Sequence, residues 1–131
     1  MNYYKGLVQL AEQNKKGALL SFEKCIRNNS NTNGEAVARS LVEISKSKIE
    51  DRDFYSALYH INRASYLGVT SEDIEKFKLF TEGVVFLMKR KINEGVNNLN
   101  QLQEKYKLGP YFDPLFYLYR AFGHFMQNKH Q

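Results

Sequence analysis

Three stretches of the chain share one spacing of small and bulky apolar residues: Ala18, Phe22 and Cys25; Ala57, Ile61 and Ala64; Gly95, Leu99 and Leu102. In each, a bulky apolar residue follows a small one by four positions, and a small or apolar residue comes three later. The starting positions are 39 and then 38 residues apart. Offsets of four and seven put all three residues on one face of an α-helix. Self-similarity at a period of this size predicts a stack of helical hairpins.

The apolar periodicity, and the breakers that interrupt it, predict seven helices. The first covers about residues 2–12 and ends in the turn from Gln13 to Gly17. The second covers about 18–27, and the polar cluster from Asn28 to Gly34 separates it from a third, about 35–49, striped by Val37, Leu41, Ile44 and Ile49. Asp51, Arg52 and Asp53 make the next turn. The fourth helix, about 54–67, stops at Gly68, which accepts positive φ without a Cβ clash. Ser71 offers a capping oxygen to the fifth, which extends to about Met88, with Glu72 and Asp73 at its positive end. Lys89, Arg90 and Lys91 form a turn, and the sixth helix runs over about 92–106. The seventh, about 113–127, has Asp113 as its cap and Pro114 at its first position, where the missing amide costs nothing. Strand alternation appears over no useful length. The expected fold class is all-α: an α-α superhelix of about seven antiparallel helices within one domain, residues 1–131. It comprises three hairpins, about 2–28, 35–67 and 71–106, and a C-terminal half repeat, 113–128. Short connections make neighbours antiparallel, and stacking buries faces that one pair cannot bury alone.

The third unit carries the fullest pattern, with Leu79, Gly83 and Phe86 preceding Ile92, Gly95, Leu99 and Leu102. The second follows through Leu41, Ile44, Ser45, Phe54, Ala57, Ile61 and Ala64, and the first through Gly6 or Leu7, Ala18, Phe22 and Cys25. Tyr117, Ala121 and His124 open a fourth. This order of large and small residues resembles the tetratricopeptide repeat family over nearly the whole chain. The resemblance implies a solenoid whose concave groove is lined by the first helix of each pair. The matching groove positions are Val42, Lys46, Phe77, Phe80, Thr81, Val84, Leu118, Tyr119, Phe122 and Phe125, with Tyr4, Val8, Arg39, Glu43 and Leu87 beside them. Some members grip a peptide's terminal carboxylate with basic and amide groove residues. Tyr4, Val8, Glu43, Phe77 and Thr81 stand at those places here, so no such clamp is expected. An apolar groove suits a partner helix or a hydrophobic peptide.

Helix seven is the most aromatic segment. Leu115, Leu118, Phe122 and Phe125 form one face, while Phe116, Tyr117 and Tyr119 spread over the others. A helix that is apolar most of the way round demands cover on more than one side. Each large apolar side chain left in water forgoes roughly 1.5–3 kcal/mol. Association through this helix is expected, with a second copy, another protein or a further repeat.

Hydrophobic content of 43% and charged content of 25% exclude a disordered chain. The single cysteine, Cys25, allows no intrachain disulfide and fits a reducing compartment. No secretory leader pattern is visible, and the apolar runs fall short of the about 18 residues a membrane span needs. The expected location is therefore intracellular, in the cytoplasm, with no membrane partner. The net charge is +5, but it is dispersed, with no block of five like charges, so a solvated basic surface is expected ahead of nucleic acid. The competing function is RNA binding by helical repeats, because residues 57–73 are similar to a pentatricopeptide unit.

No catalytic constellation stands out. His60, His124 and His130 are far apart, Cys25 falls on an apolar stripe, and Glu43, Glu50, Glu72 and Asp73 fall on faces expected to be solvated. No phosphate-cradling loop or nucleophile elbow is present. The expectation is a protein-interaction or scaffold module, not an enzyme, with no cofactor and no metal.

Overall fold

The computed structural model describes residues 2–29 and 33–129. Within them lie seven α-helices and no strand: α1 (Asn2–Ala11), α2 (Lys15–Asn29), α3 (Gly34–Glu50), α4 (Phe54–Ser65), α5 (Glu72–Met88), α6 (Ile92–Lys105) and α7 (Asp113–Lys129). The fold is all-α. The chain divides into two compact units, residues 1–74 and 75–131, with the division inside the first turn of α5.

In the first unit each helix runs antiparallel to the next. The buried residues Ala18, Phe22 and Ile44 are packed by Tyr3, Leu7 and Leu10 of α1 and by Leu19 and Ile26 of α2. Gly6 lets α1 approach α2 so closely that a Cβ there would stand 2.5 Å from the Phe22 ring. The Ser45 hydroxyl donates to the Ala57 carbonyl at 2.8 Å across the α3–α4 contact, and both residues are fully buried. In the second unit α5 and α6 cross at Gly83 and Gly95, while Gly123 of α7 packs against Val96 and Leu87. Bonds from Arg120 to Asn100 (3.2 Å) and from Gln127 to Asn93 (3.0 Å) lock the antiparallel register of α6 and α7.

All three residues of the repeated trio are buried in α2, α4 and α6 alike. The helix-to-helix turns repeat too. Glu12, Asp51 and Lys89 each donate a backbone N–H to the carbonyl four residues back. The next residues, Gln13, Arg52 and Arg90, bond three back and adopt left-handed φ of 62, 62 and 65°. Asn14, Asp53 and Lys91 then bond five back, at 2.7, 2.9 and 2.8 Å. This is the Schellman type of helix ending, which satisfies carbonyls that the helix leaves open. The turns are separated by 39 and 38 residues, matching the buried trio.

Some boundaries differ from expectation. α2 begins at Lys15 rather than Ala18, because the Asn14 side chain accepts the Gly17 N–H at 3.0 Å and caps an earlier start. Asp113 does not cap α7. Its carboxylate instead accepts the N–H groups of Leu108 and Gly109, at 3.0 and 3.2 Å, and ties the preceding turn. Asn128 lies inside α7, which extends to Lys129. Gly68 has φ +73° beyond α4, as its position after the helix requires. The centre of the Asn28–Gly34 breaker cluster (residues 30–32) and His130 lie outside the described residues.

Candidate functional site

The expected groove residues divide between the units and between core and surface. In the first unit, Val42 is buried against a cavity of about 290 Å³, and Lys46 is half-buried. Tyr3, Glu35, Arg39, Val42, Glu43 and Asp73 line it. Lys46 pairs with Glu43 at 3.5 Å and with Asp73 at 3.8 Å, while Arg39 pairs with Glu35 one helical turn away. Glu43 is therefore a half-covered partner of Lys46, not a group on a solvated face. Burial, and next the Glu43 carboxylate, raise the pKa of the Tyr3 hydroxyl above its ordinary value. Each charged residue named in this lining thus belongs to an ion pair.

In the second unit, Phe77, Phe80, Thr81 and Val84 are all buried. They belong to the packing of α5 and line no open surface. The Phe77 ring meets Phe112 edge to face at 5.2 Å, Phe80 meets Tyr119 at 6.5 Å, and the Thr81 hydroxyl donates back to the Phe77 carbonyl at 2.6 Å. The physical reason is the register of α5: these residues fall on the face that its neighbours cover. The last four expected residues lie on α7. Tyr119 is half-buried, and Leu118, Phe122 and Phe125 are 61, 42 and 62% exposed.

α7 presents a divided surface. Leu115, Phe116, Gly123 and Met126 face the protein. On another face, exposed Leu118, Ala121, Phe122 and Phe125 follow one another at offsets of three, four and seven, a continuous apolar ridge in water. Lys129, four residues beyond Phe125, continues that line. It also borders a cleft of about 850 Å³ at the end of α7, together with Arg90, Lys91, Glu94, Met126 and Gln127. Sequence reasoning did not find this cleft, because the α5–α6 turn and the end of α7 are remote in the chain and neither carries a motif.

A third surface lies on α4. Phe54, Ala57, Ile61 and Ala64 are buried, which turns Tyr55, Tyr59, Arg63 and Tyr66 to solvent. The Arg63 guanidinium sits 5.7 Å from the centre of the Tyr59 ring. Beside it, Arg27, His60, Arg63 and Glu23 border a cleft of about 350 Å³. His60 Nδ1 lies 2.8 Å from the Ser56 carbonyl oxygen and donates to it.

Cys25 is buried in the first unit, with its thiol 3.7 Å from the Ala36 carbonyl oxygen. Among the described residues no group of three His, Cys, Asp or Glu side chains is placed to hold a metal ion, and no helix is long and apolar enough to cross a membrane. No family model matches the chain, and no curated protein or solved structure matches it either.

Proposed function

We propose that the chain is a non-catalytic interaction module, a divergent relative of the tetratricopeptide repeats, that docks a protein partner on the outer face of α7. The observation that carries this reading is the ridge of Leu118, Ala121, Phe122 and Phe125, apolar, continuous and exposed. Scattered exposed apolar residues need no explanation, but a contiguous ridge costs solubility unless something covers it. Rigid phenyl rings on a helix suit helix-in-groove or helix-on-helix docking, with anchors at offsets of three, four and seven. The repeated hairpins supply a stiff support for that face. A free buried thiol suits a reducing compartment, and we assign the module to the cytoplasm on that ground.

The test is an affinity capture from the native source with the full chain and with Phe122→Glu/Phe125→Glu. Both residues are exposed, so the double variant should keep its helical circular dichroism and its melting temperature. A partner retained by the native chain and lost by the variant supports the reading. Identical capture by both overturns it.

A second reading, single-stranded RNA, has the α4 surface in its favour. Three exposed tyrosines can stack on bases, and Arg27 and Arg63 can meet phosphates. Fluorescence anisotropy with labelled single-stranded RNA tests it. Binding that weakens steeply with salt and is lost in Tyr59→Ala supports it.

A further inference from the structure

We infer that the occupant of the α7 face is an amphipathic helix of a different protein, carrying acidic residues beside its apolar stripe. This rests on the docking reading above and names the chemistry of the partner.

Three observations converge on one end of one unit. The first is the apolar ridge, which fixes the apolar side of the partner. The second is the cleft into which the ridge runs. Among the described residues Arg90, Lys91 and Lys129 border it with Glu94 as the lone carboxylate, and its lining includes Ile92 and Met126. Among the described residues, no carboxylate pairs with any of these three cations. The third is the distribution of charge. Residues 75–131 hold nine Lys and Arg against five Asp and Glu, a net +4, whereas residues 1–74 hold ten against nine, a net +1. The excess of the whole chain is concentrated in the unit that carries the ridge.

Charge separates the possible occupants. Two copies meeting through α7 would bring two units of +4 together and hold unpaired cations in a partly dehydrated contact, which opposes association. A basic helix meets the same opposition. An acidic helix gains on both counts: its apolar stripe covers the phenyl rings, and its carboxylates meet Arg90, Lys91 and Lys129. Arg90 can take a carboxylate in a two-pronged contact, while Lys91 and Lys129 act as point charges. The ridge and the cleft lie in series along α7, because Lys129 belongs to both. A partner helix lying along α7 would therefore carry its acidic residues at the end next to the α5–α6 turn. That arrangement gives the contact a direction as well as a sign.

The experiment uses the full chain and a displayed library of helices about 18 residues long, enough to lie along the whole of α7. The stripe is fixed as Leu, Ile or Phe, and the flanking positions vary among Glu, Gln and Lys. We expect Glu to be enriched over Lys at one end of the selected helices. The best synthetic binder should weaken about tenfold in Lys91→Glu/Lys129→Glu, and less in Lys91→Gln/Lys129→Gln. It should be lost in Phe122→Glu, and its affinity should fall with salt. Selected helices that need Phe122 but show no preference for Glu, or prefer Lys, overturn the acidic partner and leave the docking reading standing. Helices indifferent to Phe122 overturn the docking reading itself. A concentration-dependent dimer in light scattering that Phe122→Glu abolishes makes a second copy the occupant and overturns the inference.

Discussion

The backbone of Gly95 lies against that of Gly83: a Cβ on Gly95 would stand 2.9 Å from the Gly83 carbonyl oxygen and 2.7 Å from Leu87 Cδ2. A leucine methyl can swing aside, but a helix carbonyl cannot without moving α5. Gly95→Ala therefore forces the crossing apart. Overpacking of this kind costs about 1–3 kcal/mol, against a helix-propensity gain of up to about 1 kcal/mol. Urea unfolding should show a net loss of stability. A stabilised variant would mean that α5 and α6 can part at no cost.

Gln13, Arg52 and Arg90 hold left-handed φ without being glycine. The left-handed region costs a residue with a Cβ about 1–2 kcal/mol, while glycine adds freedom to the unfolded chain worth about 0.4–1 kcal/mol. Gln13→Gly should raise stability by roughly 0.5–1 kcal/mol, the difference of those two terms. Arg52→Gly should gain less, because the Arg52 guanidinium also donates to the carbonyls of Ile49 and Glu50, at 3.2 and 3.1 Å. Thermal melts of the two variants side by side check both the sign and the order.

Two serines of α3 are buried in opposite circumstances. The Ser45 hydroxyl has its partner in the Ala57 carbonyl, whereas the Ser40 hydroxyl is buried with no hydrogen-bond partner among the described residues. Removing an unmet buried hydroxyl recovers part of its desolvation penalty, and alanine is the better helix former. Ser40→Ala should stabilise the chain by about 1 kcal/mol and Ser45→Ala should destabilise it by a similar amount. Denaturant midpoints that move in the same direction for both would contradict this difference between the two hydroxyls.

Lys15 at the start of α2 bonds the Asp51 carboxylate at 2.7 Å and approaches Glu50 at 3.6 Å. The hydrogen bond to Asp51 is the main reason that its pKa is raised; partial burial opposes the shift, and the charges of Asp51 and Glu50 add to it. A folded pKa above the unfolded one makes the contribution complete below about pH 10.4 and removes it as pH rises through the folded value. The ammonium is partly exposed, so the pair contributes under about 1 kcal/mol. Lys15→Met should be slightly less stable at neutral pH, and the gap from the native chain should close in the alkaline range. A gap that widens there would have the wrong sign.

What the amino-acid pattern reveals follows from which features leave a local signature. Burial of Ala18, Phe22 and Cys25 and of their counterparts is legible because helix geometry turns a spacing into a face. The stop at Gly68 is legible because glycine marks positive φ. The places of the three interhelical turns are legible from the breaks in apolar periodicity, but their shared left-handed geometry is hidden, since Gln13, Arg52 and Arg90 carry no such mark. The groove residues expected on α5 lie on its covered side instead. That helix is apolar nearly all round, so its pattern does not say which face its neighbours cover. Spacing puts Leu115, Leu118, Phe122 and Phe125 on one face of α7; Leu118, Phe122 and Phe125 are exposed there, whereas Leu115, in the first turn, is buried. The cleft at its end is beyond reach, because Lys91 and Lys129 meet only through the fold.

The recurring corner has a consequence for how such a chain can diversify. The same main-chain bonds hold its shape at all three sites, and among the described residues only the Arg52 apex adds side-chain bonds, to the Ile49 and Glu50 carbonyls. Chemistry at the other two vantage points, Gln13 and Arg90, can thus be rewritten one residue at a time while the framework beneath stays as it is, and Arg90 borders the basic cleft.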